Sequence, residues 1–176
     1  MTAPVCVDPA SEIVTAYTTA LAEAFDPASA CPPDGGGGTV VRFFGGDAIP
    51  MAAWDAHSGG GEDCDAPFLW VRVLRRYRTS EFPNPDFSID ACNLPRVIAL
   101  EVGVGRCSVV ELEPSWDDYA AEAEVSLDDS WRIELALCRA ATLVRALGYS
   151  AGSGEVAPYG PDGGVVAWTG EAYVQF

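Results

Sequence analysis

Two stretches of this chain alternate apolar and polar residues for long enough to commit it to a β-sheet. In residues 68–77, Leu69, Val71 and Val73 fall on one face, while Trp70, Arg72, Leu74 and Arg76 fall on the other. In residues 96–104, Ile98, Leu100, Val102 and Val104 share a face. A two-residue period is that of a strand with one side against a core. The proline-punctuated link Phe82-Pro83-Asn84-Pro85 leads from one stretch to the other, so they are expected to pair. Thr39-Val40-Val41-Arg42-Phe43-Phe44, stopped by Gly45-Gly46, is short, β-branched and aromatic and predicts a further strand. Two strand-like pieces, 164–169 and 171–176, close the chain on either side of Gly170.

Helical periodicity occurs in two places. Ile13, Tyr17, Leu21 and Phe25 stand four residues apart behind Ser11, a candidate cap, and Asp26-Pro27 ends the run. Pro114-Ser115-Trp116-Asp117-Asp118 predicts a helix start with favourable acids in its first turn, continuing through Val125. Ser126 is a second cap candidate before the strongest helix pattern, in which Leu127, Trp131, Leu135 and Cys138 interleave with Ile133, Leu137, Val144 and Leu147. Gly148 stops it. Asp128-Asp129 are read, like Asp117-Asp118, as charges near a helix N-terminus.

Between these elements lie residues suited to loops. Cys31-Pro32-Pro33-Asp34 and the four glycines at 35–38 read as a loop or flexible connector, and residues 47–67 as one long loop. The order is helix, strand, loop, strand, strand, long helix, strand, strand, which predicts an α+β fold. The sheet is expected to be mostly antiparallel, with the N-terminal helix and the long helix of the C-terminal half packed on it. Residues 1–176 form one domain, with long Gly/Pro/Asp-rich loops and the longest at about 45–67.

Composition narrows the function. A chain of 176 residues with 49% hydrophobic content folds as a domain rather than remaining disordered. Ten basic residues, all arginine, against 26 acidic ones give a net charge of -16, which excludes non-specific attraction to nucleic acid. No apolar run is long enough to span a bilayer, and the first residues read as neither a secretory signal nor an anchor. None of the six cysteines forms a Cys-x-x-Cys pair, and there is one histidine, so a zinc site is not expected. The cysteines are read as free buried thiols, with a Cys64–Cys92 disulfide as the alternative.

Each candidate catalytic motif lacks its context. Gly148-Tyr149-Ser150-Ala151-Gly152 fits the Gly-x-Ser-x-Gly pattern, but a helix precedes Ser150, a glycine-rich loop is expected after it, and His57 lies upstream. Ser150 is read as part of a helix stop and turn. Gly103-Val104-Gly105-Arg106 lacks the third glycine and following helix of a phosphate loop and reads as a strand end or bulge. Asp55, Asp63 and Asp65 near His57 match no EF-hand, so no metal or cofactor is expected. No catalytic residue is assigned, and the chain is not expected to be an enzyme. Arg72, Arg75, Arg76 and Arg78 form the one basic cluster, with Arg72, Arg76 and Arg78 expected on a shared face for surface acids, an acidic neighbour or passing DNA phosphates. Trp54, Trp116, Tyr159 and Trp168 are candidate interface aromatics.

The segments Phe68-Leu69-Trp70-Val71-Arg72-Val73, Arg96-Val97-Ile98-Ala99-Leu100-Glu101-Val102, the helix from Asp129 to Leu137 and the closing Pro158-Tyr159-Gly160-Pro161-Asp162-Gly163-Gly164 carry a resemblance. In layout and in their arginine-only, alanine- and glycine-rich style, they resemble tail-terminator and head-tail joining proteins of long-tailed actinobacteriophages. That resemblance implies a structural virion protein made in the host cytoplasm. It implies a homo-oligomeric ring, usually of six copies, that caps the head-proximal end of the tail tube, ends tube polymerisation and meets the neck stopper or connector. DNA passes through the lumen without specific binding, consistent with a surplus of acids, and no membrane is involved. Strand edges at 165–176 are expected to join neighbouring subunits, so Trp168 and Tyr173 join Arg72, Arg75, Arg76 and Arg78 as interface candidates. The alternatives are another neck component, adaptor or stopper, and a cellular small-ligand-binding α+β module with residues 47–67 as its pocket lid.

Overall fold

A computed structural model describes residues 7–59, 64, 66–88, 91–109 and 112–176. The elements in chain order are α1 (Ala10–Ala24), β1 (Val41–Phe44), α2 (Met51–Ser58), β2 (Phe68–Arg78), β3 (Arg96–Cys107), α3 (Trp116–Ala146), β4 (Ser150–Asp162) and β5 (Val165–Gln175), with one turn of 3-10 helix at Ala91–Asn93. The expected α+β class is correct. The five strands form one sheet in the order β1-β2-β3-β5-β4. Only β1 and β2 run parallel; the other three pairs are antiparallel.

Both long helices lie on one face of this sheet. Ile13, Tyr17, Leu21 and Phe25 of the α1 segment and Ile133, Leu137 and Val144 of α3 are buried against Leu69, Val71, Ile98, Leu100, Val102 and Val174. The alternation read in β2 and β3 therefore points to the helices, as a half-buried strand requires. Ser11 is not the cap of α1. The helix starts one residue earlier, and the Asp8 carboxylate accepts the Ala10 N–H at 3.1 Å.

The two predicted helices around Ser126 are one helix of 31 residues. Ser115 caps it: its Oγ accepts the Asp118 N–H at 3.2 Å, and the Asp118 carboxylate accepts the Ser115 N–H at 2.8 Å. Ser126 stands mid-helix, where its hydroxyl accepts the Trp168 indole N–H at 2.7 Å. Gly148, at φ 93°, ends the element as expected.

The C-terminal strands are also placed differently. Residues 150–162, expected as turn and loop, form β4, and the two closing pieces are one strand, β5, running through Gly170. Gly170 is there for close approach. A Cβ on it would stand 2.7 Å from Leu137 and 2.9 Å from Ile133, so its absence lets α3 settle on the sheet. Because β5 lies between β3 and β4, residues 165–176 are not an edge; the free edges are β1 and β4.

The stretch expected as a loop or flexible connector is a loop, and two arginines clamp it. Arg132 of α3 donates to the carbonyls of Ala24 at 2.8 Å and Pro32 at 2.9 Å, and to Asp128 at 2.6 Å. Arg106 of β3 donates to the carbonyls of Gly35 and Gly36 and forms a two-bond pair with Asp129 at 2.6 and 2.9 Å. Asp128 and Asp129 thus hold arginines in mid-helix, rather than sitting at a helix N-terminus. The disulfide joins Cys64 to Cys107, not Cys92, and Cys31, Cys92 and Cys138 are exposed thiols rather than buried ones. Cys6 lies outside the described residues.

Candidate functional site

The sheet face opposite the two long helices is partly open. Within residues 47–67, expected as loop, Met51–Ser58 forms α2 behind Pro50, and Gly59 at φ 57° closes it. This helix lies over one end of the open face, where Trp54 packs edge-on to Phe68 with ring centroids 5.8 Å apart. Beside it, Trp70 rests on Gly103: a Cβ there would come within 2.2 Å of the indole. Gly105 lies in the same way under Trp54 and Trp70, at 3.3 and 3.4 Å. Gly103 and Gly105 are therefore interior β3 positions that form a flat bed for two tryptophans, not a strand end or a bulge.

The irregularity is in β2, between Val73 and Arg75. This bulge reverses which residues face out and overturns the expected arginine strip. Arg72 pairs with Glu101 and Arg75 with Ala99 on the open face, while Arg76 and Arg78 pair with Ile98 and Arg96 and turn to the helix side. Arg72 makes a two-bond pair with Glu101 at 2.9 and 2.7 Å, and Glu101 also accepts the Trp70 indole N–H at 2.9 Å. Arg75 stands 5.3 Å from the Tyr77 ring centroid. Arg76 pairs with Asp8 at 2.5 Å, and Arg78 donates to the Leu94 carbonyl at 2.7 Å.

The other interface candidates divide between the two faces. Trp168 lies under α3, half-buried. Tyr173 lies on the open face and donates to Glu171, which raises its pKa. Among the four aromatics named from sequence, Trp116 and Tyr159 are exposed, while Trp54 is half-buried like Trp168.

Between α2 and the β4–β5 turn lies a groove of about 480 Å³. Its walls are Met51 and Trp54 on one side and Pro158 and Tyr159 on the other, above Ala167 and Thr169. Tyr159 donates to Asp162 at 3.0 Å, and this bond holds its hydroxyl above the ordinary tyrosine pKa.

The residues tested for catalysis are far apart. His57 packs on Phe68 at 5.1 Å, and its Nε2 lies 2.9 Å from the Ala66 carbonyl. Ser150 belongs to the row Ser150, Gln175, Val97, Tyr77 at the opposite end of β2. Along β3 the row of Phe68, on which His57 packs, lies eight residues away, roughly 26 Å at the usual rise. Ser150 is followed by a strand, whereas a nucleophile elbow needs a helix there. Among the described residues no group of three His, Cys, Asp or Glu could hold a metal, and Asp63 and Asp65 lie outside them. Among the described residues, no helix is long and apolar enough to cross a membrane.

The largest feature that the sequence pattern reached only through Trp116 is on α3. Trp116, Leu127, Trp131 and Leu135 are exposed, Trp116 at 88% and Leu127 at 71%. At 100° per residue they lie on the side away from the buried stripe of Ile133, Ala136, Leu137, Ala140 and Val144. Cys138, also exposed, continues the line. Sorting the apolar positions by helical angle separates two stripes and would have found the outer one. In comparisons with known proteins, no family model and no curated protein sequence matches the chain.

Proposed function

We propose that this chain is a structural virion protein that assembles as a ring, a tail terminator at the head-proximal end of a phage tail tube. The observation that carries the reading is the exposed apolar stripe of α3. Fully burying Trp116 and Leu127 would contribute about 1.5–3 kcal/mol each, and the half-exposed Trp131 and Leu135 would add less, so a protein that keeps them outside has an interface to make. The open sheet favours a terminator over a stopper, because stoppers in the resembled group are small β-barrels and this sheet carries a 31-residue helix instead. The net charge of -16 suits a ring through which DNA slides without sticking.

The test is electron microscopy of a phage lysate in which this reading frame is disrupted. Tail tubes of uncontrolled length beside unattached filled heads are expected. Tails of normal length beside unattached heads would make it a head-side connector, and normal virions would overturn any neck role.

The groove between α2 and the β4–β5 turn favours a second reading, a small-ligand-binding module, because the segment expected to act as a lid does line it. Under that reading the chain stays monomeric, and a ligand changes the fluorescence of Trp54 and Trp70. A terminator instead forms rings, alone or on its partner.

A further inference from the structure

The two edges of the sheet run in opposite directions. β1 runs parallel to β2, and each later neighbour in the order β3, β5, β4 reverses. Three reversals leave β4 antiparallel to β1. A β1 edge from one copy laid against the β4 edge of another, with both sheets facing the same way, therefore makes an antiparallel ladder. The same contact repeats from copy to copy, and such a head-to-tail contact generates a ring where the rotation closes.

We propose that β1 of one copy adds to β4 of the next, with Arg42 of the incoming strand seated beside Tyr159 and Glu155. The proposal deepens the ring reading above by naming the contact, and it rests on that reading for ring closure. The side chains at the two edges are complementary. β1, Val-Arg-Phe-Phe, has one arginine and no acid, and β4 has Glu155 and Asp162 and no base. Among the described residues the Arg42 side chain has no ion pair or hydrogen bond, unlike those of Arg72, Arg76, Arg106, Arg132, Arg139 and Arg145. Phe43 is 53% exposed.

A neighbour set level with the rows of this sheet defines the register of the proposed contact. Arg42, Trp70, Gly103, Thr169 and Ala157 lie in one row, and Phe43, Val71, Val102, Gly170 and Val156 in the next. Continuing these rows into a neighbour sets Arg42 opposite Ala157, with Tyr159 and Glu155 as its diagonal neighbours, and sets Phe43 against Val156. In this register Val41 falls opposite Pro158, which offers no N–H, so the four-residue β1 meets residues 155–158 in the middle of β4 and its ladder bonds run through Ala157 and Val156.

The experiment is cysteine cross-linking of the full chain with Cys6, Cys31, Cys92 and Cys138 changed to serine, each variant first checked for native circular dichroism. Oxidation of a protein carrying both Arg42→Cys and Ala157→Cys should give a ladder of covalent multimers on denaturing electrophoresis. An equimolar mixture of the two single variants should stop at dimers. In the cysteine-free-edge protein, Arg42→Glu should raise the concentration for half-assembly about tenfold, and adding Glu155→Arg should restore it. A sample that sediments as oligomers, gives no ladder and ignores Arg42→Glu overturns the edge contact alone. A sample that stays monomeric and gives no ladder also overturns it, whereas the terminator reading stands or falls on the lysate phenotype.

Discussion

Replacing Asp129 with alanine should destabilise this protein by several kcal/mol, because it breaks one of the two arginine clamps. Arg106 and Asp129 face each other with side chains 9% and 5% exposed, so solvent screens little of their interaction. Arg106 makes four hydrogen bonds, two to Asp129 and two to the carbonyls of Gly35 and Gly36. The substitution removes the two charged ones, each worth about 1.5–3 kcal/mol, and leaves a guanidinium buried without its counter-charge. The expected loss is about 3–5 kcal/mol, the usual range when one partner of a buried pair is deleted. In urea unfolding followed by tryptophan fluorescence, this lowers the midpoint by roughly 2 M at an unchanged slope of about 2 kcal/mol per M. Asp129→Asn, which retains an acceptor oxygen, should lose less. The burial that makes the pair costly to break also pushes the Asp129 carboxyl above its ordinary value, against the two Arg106 bonds. A raised carboxyl contributes its stability below the ordinary value near 3.8 and loses it as pH rises through the raised one, and Asp129→Asn should abolish that slope. A loss under about 1 kcal/mol for Asp129→Ala, the worth of an exposed pair, would refute the reasoning.

Tyr17 is buried with a hydroxyl that has no hydrogen-bond partner among the described residues, so Tyr17→Phe should raise stability by about 1 kcal/mol in the same urea assay. Burial pushes the Tyr17 pKa up to about 12 from 10.0, so wild-type stability should fall between those pH values and the phenylalanine variant should lack that contribution. Gly103→Ala places a carbon 2.2 Å from the Trp70 ring and should cost about 1–3 kcal/mol with a shifted tryptophan emission; an unchanged spectrum would contradict the stacked bed. Ser115→Ala should cost about 1 kcal/mol. The Ser115 hydrogen bonds hold the Asp118 carboxyl below its ordinary value of 3.8, so the stabilisation from that carboxyl is present above 3.8 and is lost as acid titration passes through the lowered value. Thermal melts against pH should show a smaller acid-side loss in the variant, which keeps the backbone N–H of residue 115 as a donor to Asp118.

The parts of the fold legible in the sequence were those with one dominant period. Leu69, Val71 and Val73 and then Ile98, Leu100, Val102 and Val104 report a two-residue repeat that only a strand against a core satisfies, and the structure buries most of them. β4 was hidden because Gly152, Gly154, Pro158 and Pro161 are turn residues by composition, and an edge strand tolerates them where an inner strand does not. Gly170 was misread for a related reason: its role depends on Leu137 and Ile133, which arrive from another element. The clamp arginines could not be recognised locally either, because Arg106 meets Gly35 and Gly36 across about 70 positions of chain. In the arginine cluster the residue types were visible, but one bulge after Val73 decided which of them share a face.

The open-face groove was legible only in part, through Trp54, Tyr159 and the expected lid at 47–67, since α2 turns a segment read as loop into one of its walls. The α3 stripe bears more directly on function. A 31-residue helix needs one apolar stripe to pack on its sheet, and Ile133, Ala136, Leu137, Ala140 and Val144 already supply it. Folding therefore gives no reason for Trp116, Leu127, Trp131 and Leu135 on the far side, and water gives a reason against them. Arg132 illustrates how such a stripe is kept in order: its guanidinium lies 5.6 Å from the Trp131 ring centroid while its donors hold Asp128 and the loop carbonyls. The outer stripe thus stands on a helix fixed from beneath, rather than on a mobile segment. A rigid apolar surface contributes to association without a further ordering penalty, which is what the proposed ring assembly would draw on.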